Sequence, residues 1–440
     1  MFIAGRVASI AVAACAFSVW AHDPTGALAG GYAAREQSAE FQGMSFAGDA
    51  AAGGGLSGMF WNPAVSAYVP NGLSFEIDGP AIFGNLDVIA GPGTTKLGVP
   101  GLASETGNMA KFGFLPSGYA AYRLSPDAVL ALSINSPFRL DTDPANRNWV
   151  AQTHNRLSKV DDLNVSPSLS FRLSPFLSAG FGLQIDQMKA SFQRAVAAVP
   201  GAPDVSVDVD GVGVGFTAGL NWMPTAQTSV GLGYRSQIFH NLKGTISIPS
   251  SPNPVLAAGN AVETDVTLPN AVTLSLRQGI TDRIRLLGTV EWTQWSVLQK
   301  LEVTCPTAGV PFCPPSLVAS SVREGWQDAW MFALGSEYDA TRQLKLRVGA
   351  AFELSPMQDP TTRTTVIPDQ NRLALSGGLT YAFSDAVSVD LAYSHFWGLG
   401  GGTERGQPVP PSPIPEHISG DVQESGDTVA AAIKISFGKP

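Results

Sequence analysis

The chain is 440 residues long, 44% hydrophobic but only 14% charged, with a formal net charge of −9. That acidity, and the lack of any Lys/Arg block able to track a phosphate backbone, argues against nucleic acid as a partner. The composition looks membranous, yet beyond the N-terminus no run approaches the roughly 18 apolar residues of a spanning helix. Alternation of apolar and polar residues along strands reconciles the two facts.

In chain order, Met1–Ala21 reads as a secretory signal. Arg6 forms a short n-region, "VASIAVAACAFSVW" the apolar stretch, and Val19-Trp20-Ala21 a small-x-small cleavage site, so that the mature chain begins at His22. The next segment, residues 22–71, contains "GGGLSGMFWNPAVSAYVP". It is too apolar for a solvated loop and too broken by Gly and Pro for a strand or helix. Met59, Phe60, Trp61 and Tyr68 argue against a disordered linker. A segment of this kind ahead of a barrel is expected to fold into the lumen as a plug, with Asn62 before Pro63 extended or turned and its amide bonded to nearby backbone.

From Leu73 onward the period is two. In "RQLKLRVGAAFEL", Leu344, Leu346, Val348, Ala350, Phe352 and Leu354 share one face, while Lys345, Arg347 and Glu353 lie on the other. "DRIRLLGTVEW" repeats the pattern. Short polar turns stand at residues 123–128, 172–176, 222–227, 280–283, 338–343 and 383–386, separated by long Gly/Pro/Asn/Thr-rich stretches. With both termini periplasmic, six periplasmic turns imply seven hairpins and 14 strands over residues 72–440. Tyr122, Phe171, Phe176, Trp222, Tyr338 and Phe383 stand beside those turns, where an interfacial girdle belongs; a soluble β-sandwich has no reason for that placement. The expected fold is therefore all-β, a 14-stranded antiparallel transmembrane barrel plugged by an N-terminal hatch.

Cys15 leaves with the signal, so Cys305 and Cys313 bracket "CPTAGVPFC" in a compartment where disulfides persist, and a local loop staple is expected. Their spacing does not suit zinc. His22, His154, His240, His395 and His417 are scattered, and the neighbours Ser394 and His395 point to opposite faces of a strand. No catalytic residue, metal or cofactor is expected. "GVGVG" at residues 211–215 suits a strand with small residues better than a phosphate loop, since no helix follows it.

"EQSAEFQGMSFAGDAA" followed by "GMFWNPA" resembles the hatch of the long-chain fatty acid outer-membrane transporter (FadL) family. The resemblance continues through "NVSPSLSFRLSPFLSAGFGLQ", "LPNAVTLSLRQGITDRIRLLGTVEWTQWS", "WQDAWMFALGSEYDATRQLKLRVGAAFELSPM" and "IPDQNRLALSGGLTYAFSDAVSVDLAYSHFW". It implies a barrel that captures a hydrophobic ligand outside, passes it to a lumen pocket against the hatch and releases it sideways into outer-membrane lipid, as a monomer. It also implies a gap where the third strand, "DAVLALSINSPF", kinks toward the hatch motif Asn62, Pro63 and Ala64, making Asn135, Pro137 and Phe138 the gap residues. A carboxylate head group needs polar or cationic partners in the lumen. Alternation places Arg277, Arg285, Lys345 and Arg347 on the inner face as candidates, with Glu291, Glu353 and Asp390 beside them, and mutual neutralisation is the competing role for these charges. The function expected is passive uptake of long-chain fatty acids or similar compounds. Hydrocarbon uptake, an open diffusion porin, and a receptor or adhesin using the loops are the alternatives.

Overall fold

The computed structural model describes residues 30–308, 310–313, 318–407 and 416–438; the expected signal peptide and residues 22–29 lie outside them. Fourteen antiparallel strands close into a barrel. They are β1 (Leu73–Ala90), β2 (Gly113–Phe114 and Ser117–Ser125), β3 (Ala128–Asn135 and Arg139–Thr142), β4 (Leu157–Ser174), β5 (Leu177–Ala195), β6 (Asp204–Thr225) and β7 (Thr228–Arg235 and Ile238–Ser247). The rest are β8 (Asn260–Leu268 and Ala271–Gly279), β9 (Ile284–Thr293 and Lys300–Thr304), β10 (Val318–Arg323 and Ala329–Asp339), β11 (Leu344–Leu354), β12 (Arg372–Ala382), β13 (Val387–Gly398 and Gly402–Gln407) and β14 (Glu416–Ser436). Closure is a seam in which β14 pairs with β1 from Ser436 with Ser74 to Gly420 with Ala90. This seam pairs the two strands that would otherwise be the edges of the sheet.

All six expected turns join consecutive strands, and the six aromatics beside them are exposed. Pro fixes φ at three of these corners (Pro126, Pro175, Pro224), where a ladder N–H is not needed. On β11, Leu346, Val348 and Phe352 are exposed while Arg347, Ala351 and Glu353 are buried, so one face meets lipid and the other the lumen. Cys305 and Cys313 are bonded, with Cα atoms 5.8 Å apart, across the hairpin that joins β9 to β10.

Inside this wall lies the N-terminal segment, almost wholly buried: a single helical turn α1 (Ala39–Gln42) and two 3₁₀ turns, Leu56–Phe60 and Pro63–Tyr68. Too short to hold helices by propensity, it is held by the wall. Its bonds run round the barrel: Ser117 Oγ on β2 donates to the Gln37 carbonyl (2.8 Å), Asn221 Oδ1 on β6 accepts from Ala52 N–H (2.9 Å), Ser275 Oγ on β8 accepts from Ala50 N–H (3.1 Å), and Gln42 Nε2 donates to Ser394 Oγ on β13 (3.2 Å). Close approach requires glycine at the contact points. A Cβ on Gly180 would stand 2.5 Å from the Ala64 nitrogen, and one on Gly219, Gly231, Gly233 or Gly349 would collide with Asn62, Ala50, Trp61 or Met44.

Candidate functional site

Between the N-terminal segment and the wall is a cavity whose apolar lining includes Phe60, Trp61, Phe138, Ile238 and Leu268. Arg35 and Glu291 close one side of it as an ion pair, and Arg35 also binds Glu353 (3.0 Å). Arg235 enters from β7. It follows the inward glycines Gly231 and Gly233 on the same face, and its guanidinium lies 4.3 Å from the Phe60 ring centroid and donates to the Phe60 carbonyl (3.1 Å). Among the described residues it has no carboxylate partner, so it is a cation facing an apolar cavity with anion-binding capacity unspent. Sequence reading passed over Arg235; the only signal was a lone charge at an inward position between glycines and the polar pair Ser236-Gln237.

The cavity reaches the wall at β3. The two strands β3 and β4 pair down to Asn135 with Asn164 and resume at Arg139 with Asp161, so three residues, Ser136–Phe138, face two on β4. One extra residue makes a bulge, and the strand bends there. Above this level β2 and β3 part, since Gly113–Phe114 stays with β1 and Arg139–Thr142 with β4. The N-terminal segment fills the gap: Ala34 N–H donates to the Pro137 carbonyl (2.7 Å), Arg139 N–H to the Tyr32 carbonyl (2.8 Å), and Gln37 Nε2 to the Ser136 carbonyl (2.9 Å). Asn135 Nδ2 donates to Tyr119 Oη (2.8 Å), while Phe138 lines the cavity and meets the Tyr32 ring at a tilt of 60°, centroids 5.8 Å apart.

Asn62, Pro63 and Ala64 are elsewhere, contrary to the expectation that β3 kinks toward them. Asn62 caps the second 3₁₀ turn, its Oδ1 accepting from Ala64 N–H (3.0 Å), and its Nδ2 donates to the Ala50 carbonyl (2.7 Å) and to the Leu220 carbonyl on β6 (2.9 Å). The motif is seated on glycines of β5 and β6, and the segment that meets the kink is Tyr32–Gln37. Pro cannot donate and fits the first position of that turn, which explains why Asn-Pro occurs there.

Arg277, Arg285, Lys345 and Arg347 all face inward, yet none lines the cavity. They converge on Glu337, at 2.5, 3.0, 3.6 and 3.1 Å, nearer the periplasmic turns. Arg347 also binds Glu40 of α1 (2.9 Å) and Asp390 (3.3 Å), and Lys434 pairs with both Glu40 and Asp390. Burial alone would raise the Glu40 carboxyl, but Lys434 and Arg347 hold it well below the usual range, so it seats as an anion.

Asp49, at 0% exposure, shows the opposite balance: burial pushes its carboxyl up to about 8, with Glu291 adding to the effect and Ser275 and Thr289 opposing it by donating at 2.8 and 3.1 Å. A raised seated-state value means that the neutral acid favours the seated segment; the gain is complete below the ordinary carboxylate range and is lost as pH rises toward 8. Asp49→Asn is expected to reduce that dependence, so that protease nicking of residues 44–54, which rises between pH 5 and pH 9 in the parent, rises less in the variant, the remainder belonging to Glu36, whose carboxyl burial pushes up to about 7. A parent flat over the same range would refute it.

A closed 14-stranded barrel with an exposed apolar outer face and a lumen filled by the chain's own N-terminus is a plugged outer-membrane barrel. Residues 23–437 match the outer membrane protein transport protein (OMPP1/FadL/TodX) family, and the chain belongs to it. It is similar to the long-chain fatty acid transport protein of Escherichia coli O6:H1, 24% identical over 409 residues that cover 85% of this chain and 88% of the relative. Among solved structures, a Pseudomonas aeruginosa FadL homologue superposes with a TM-score of 0.80 at 21% identity, covering 92% of this chain and 100% of that one. The Pseudomonas putida toluene transporter TodX superposes at 0.64 and 15%, covering 93% and 100%. The protein is thus a transport barrel of the bacterial outer membrane.

Proposed function

We propose that this protein takes up long-chain fatty acids by passive diffusion and is not an enzyme. Residues 22–71 act as the hatch and residues 72–440 as the barrel. The observation that carries the reading is Arg235, a cation without an ion-pair partner among the described residues, on a cavity that reaches the β3 kink and whose other charges, Arg35 and Glu291, pair with each other. The carboxylate docks on Arg235 while the chain lies against Phe60, Trp61 and Phe138. Each buried methylene contributes about 0.8 kcal/mol, so return of a long chain to water would be slow. Exit through the gap between β2 and β3, past Asn135, Pro137 and Phe138, keeps it in an apolar medium and makes outer-membrane lipid the receiving phase. One chain supplies barrel, hatch and cavity, which supports a monomer.

Arg235→Ala is expected to weaken oleate binding about tenfold to a hundredfold, the worth of a charge-assisted hydrogen bond, with Arg235→Lys restoring most of it. Uptake of labelled oleate and toluene is compared in cells lacking their own hydrophobic transporter. Toluene uptake that proceeds without oleate uptake, and is indifferent to Arg235, would move the protein to hydrocarbon transport.

A further inference from the structure

The kink in β3 has a counterpart. Strands β6 and β7 pair from the turn up to Thr217 with Arg235 and resume at Asp210 with Lys243. One further backbone bond follows, Ser236 N–H to the Phe216 carbonyl (2.8 Å), and beyond it Gly211–Gly215 on β6 faces Gln237–Leu242 on β7 without a paired register, five residues against six, again one extra. Ser136 and Ser236 each stand eight residues after the first residue of β3 and β7, Ala128 and Thr228, so the two irregularities lie at one height in the wall.

The glycines of "GVGVG" explain how β7 departs. A Cβ on Gly213 would stand 2.5 Å from Ile238 Cγ2 and 2.7 Å from the Phe239 oxygen, and one on Gly211 would stand 2.8 Å from the Asn241 oxygen. The upper half of β7 therefore overlaps β6 from the lumen side, which only glycine at these inward positions permits. Outside, Val212 and Val214 are 62% and 71% exposed, and a hollow lined by Val214, Phe216, Tyr234, Gln237 and Asn270 opens on the lipid face. Ser236 lines both that hollow and the lumen cavity. Arg235, Ser236 and Gln237 thus pass in three steps from cavity to wall to exterior.

Beyond the Ser236 to Phe216 backbone bond, side chains close this stretch. Asn270 is the hub: its Oδ1 accepts from Tyr234 Oη (2.6 Å) and from Gln237 N–H (2.8 Å), and its Nδ2 donates to Gln294 (2.6 Å). Ser236 Oγ accepts from Phe216 N–H (2.8 Å). Irregular backbone at membrane depth is tolerated where it lines a cavity, because a lipid-facing break in the ladder leaves polar groups without partners.

We propose that the β6–β7 gap is a second lateral passage, through which the apolar chain leaves the lumen cavity for the bilayer, shut here by Ser236 and Asn270. It rests on the transport reading above in its cargo, an acyl chain whose head Arg235 holds one residue away.

The test deletes the extra residue from each strand, Pro137, Gln237 or both, in barrels shown to be assembled by heat-modifiable migration. With two routes of similar barrier, each single deletion lowers oleate uptake about twofold and the double deletion lowers it at least tenfold. Asn270→Ala, which only removes the latch, raises uptake. Deletion of Gln237 without effect, alone or on top of the Pro137 deletion, together with an indifferent Asn270→Ala, overturns the proposal. Should the parent take up no oleate, the transport reading fails by itself, and the passage is judged by Ser236→Cys: labelling by a bilayer-partitioning maleimide that increases in the Asn270→Ala background supports it, and no such increase refutes it.

Discussion

Glu40→Ala is expected to turn a silent barrel into a conducting one. In planar bilayers the parent should pass little current, because the lumen is filled, and the variant should show frequent large openings. Glu40 is the only carboxylate that α1 offers to Arg347 and Lys434, and both cations lie on the wall. Breaking a buried ion pair costs about 3–5 kcal/mol when a charge is stranded; the lower end applies here because Asp390 and Glu337 remain to the two cations. About 3 kcal/mol is still a factor of more than a hundred in the seated-to-unseated ratio. Glu40→Gln keeps an acceptor for the Gly55 N–H and should fall between the two. A variant as silent as the parent would show that glycine seating alone retains the segment.

Deleting Pro137 is the second large effect. It leaves two residues on β3 against two on β4 between the pairs Asn135 with Asn164 and Arg139 with Asp161, so the ladder can run through and the gap toward β2 close. Binding of oleate to Arg235 should survive, since that side chain is on β7, while release to lipid should fall. The diagnostic is a split between the two: unchanged affinity in detergent with at least a twofold loss of uptake in cells, the size set by how much traffic the β3 gap carries. Equal loss of both would mean that the kink shapes the cavity and is no exit.

The periplasmic half of the molecule was readable because its signals are local. Turn chemistry at Pro126-Asp127 or Thr281-Asp282 and the alternation of β11 depend on neighbours in sequence, and the strands end where those signals stand. The extracellular half was less so. Whether Pro137 sits in a bulge depends on counting residues on β4, and Ser236-Gln237 becomes an irregularity only against β6. Which role the four candidate cations take, neutralisation by wall carboxylates, was hidden for a related reason. Parity says that Arg347 points inward, but only the register of β10, β11 and β13 together brings Glu337 and Asp390 to it. Arg235 differs from those four not in charge or parity but in forming no ion pair among the described residues, a property of its neighbours. The Asn62 motif was legible as a structured element, while its seat on β5 and β6 followed from glycines 118 and 157 residues away.

The pair between Glu40 and Lys434 spans 394 positions, from near the start of the described chain to its last strand. Such a contact closes a very long loop, and non-local contacts of that kind are slow to form. Because Lys434 lies on β14, the strand that closes the seam with β1, the lumen is expected to stay unsealed until that seam forms. A chain stalled one hairpin short would lack both the seam and the cation that holds the plug, and would leak. Permeability of the envelope to small antibiotics during overexpression would then measure the pool of unfinished barrels rather than the transport activity of finished ones.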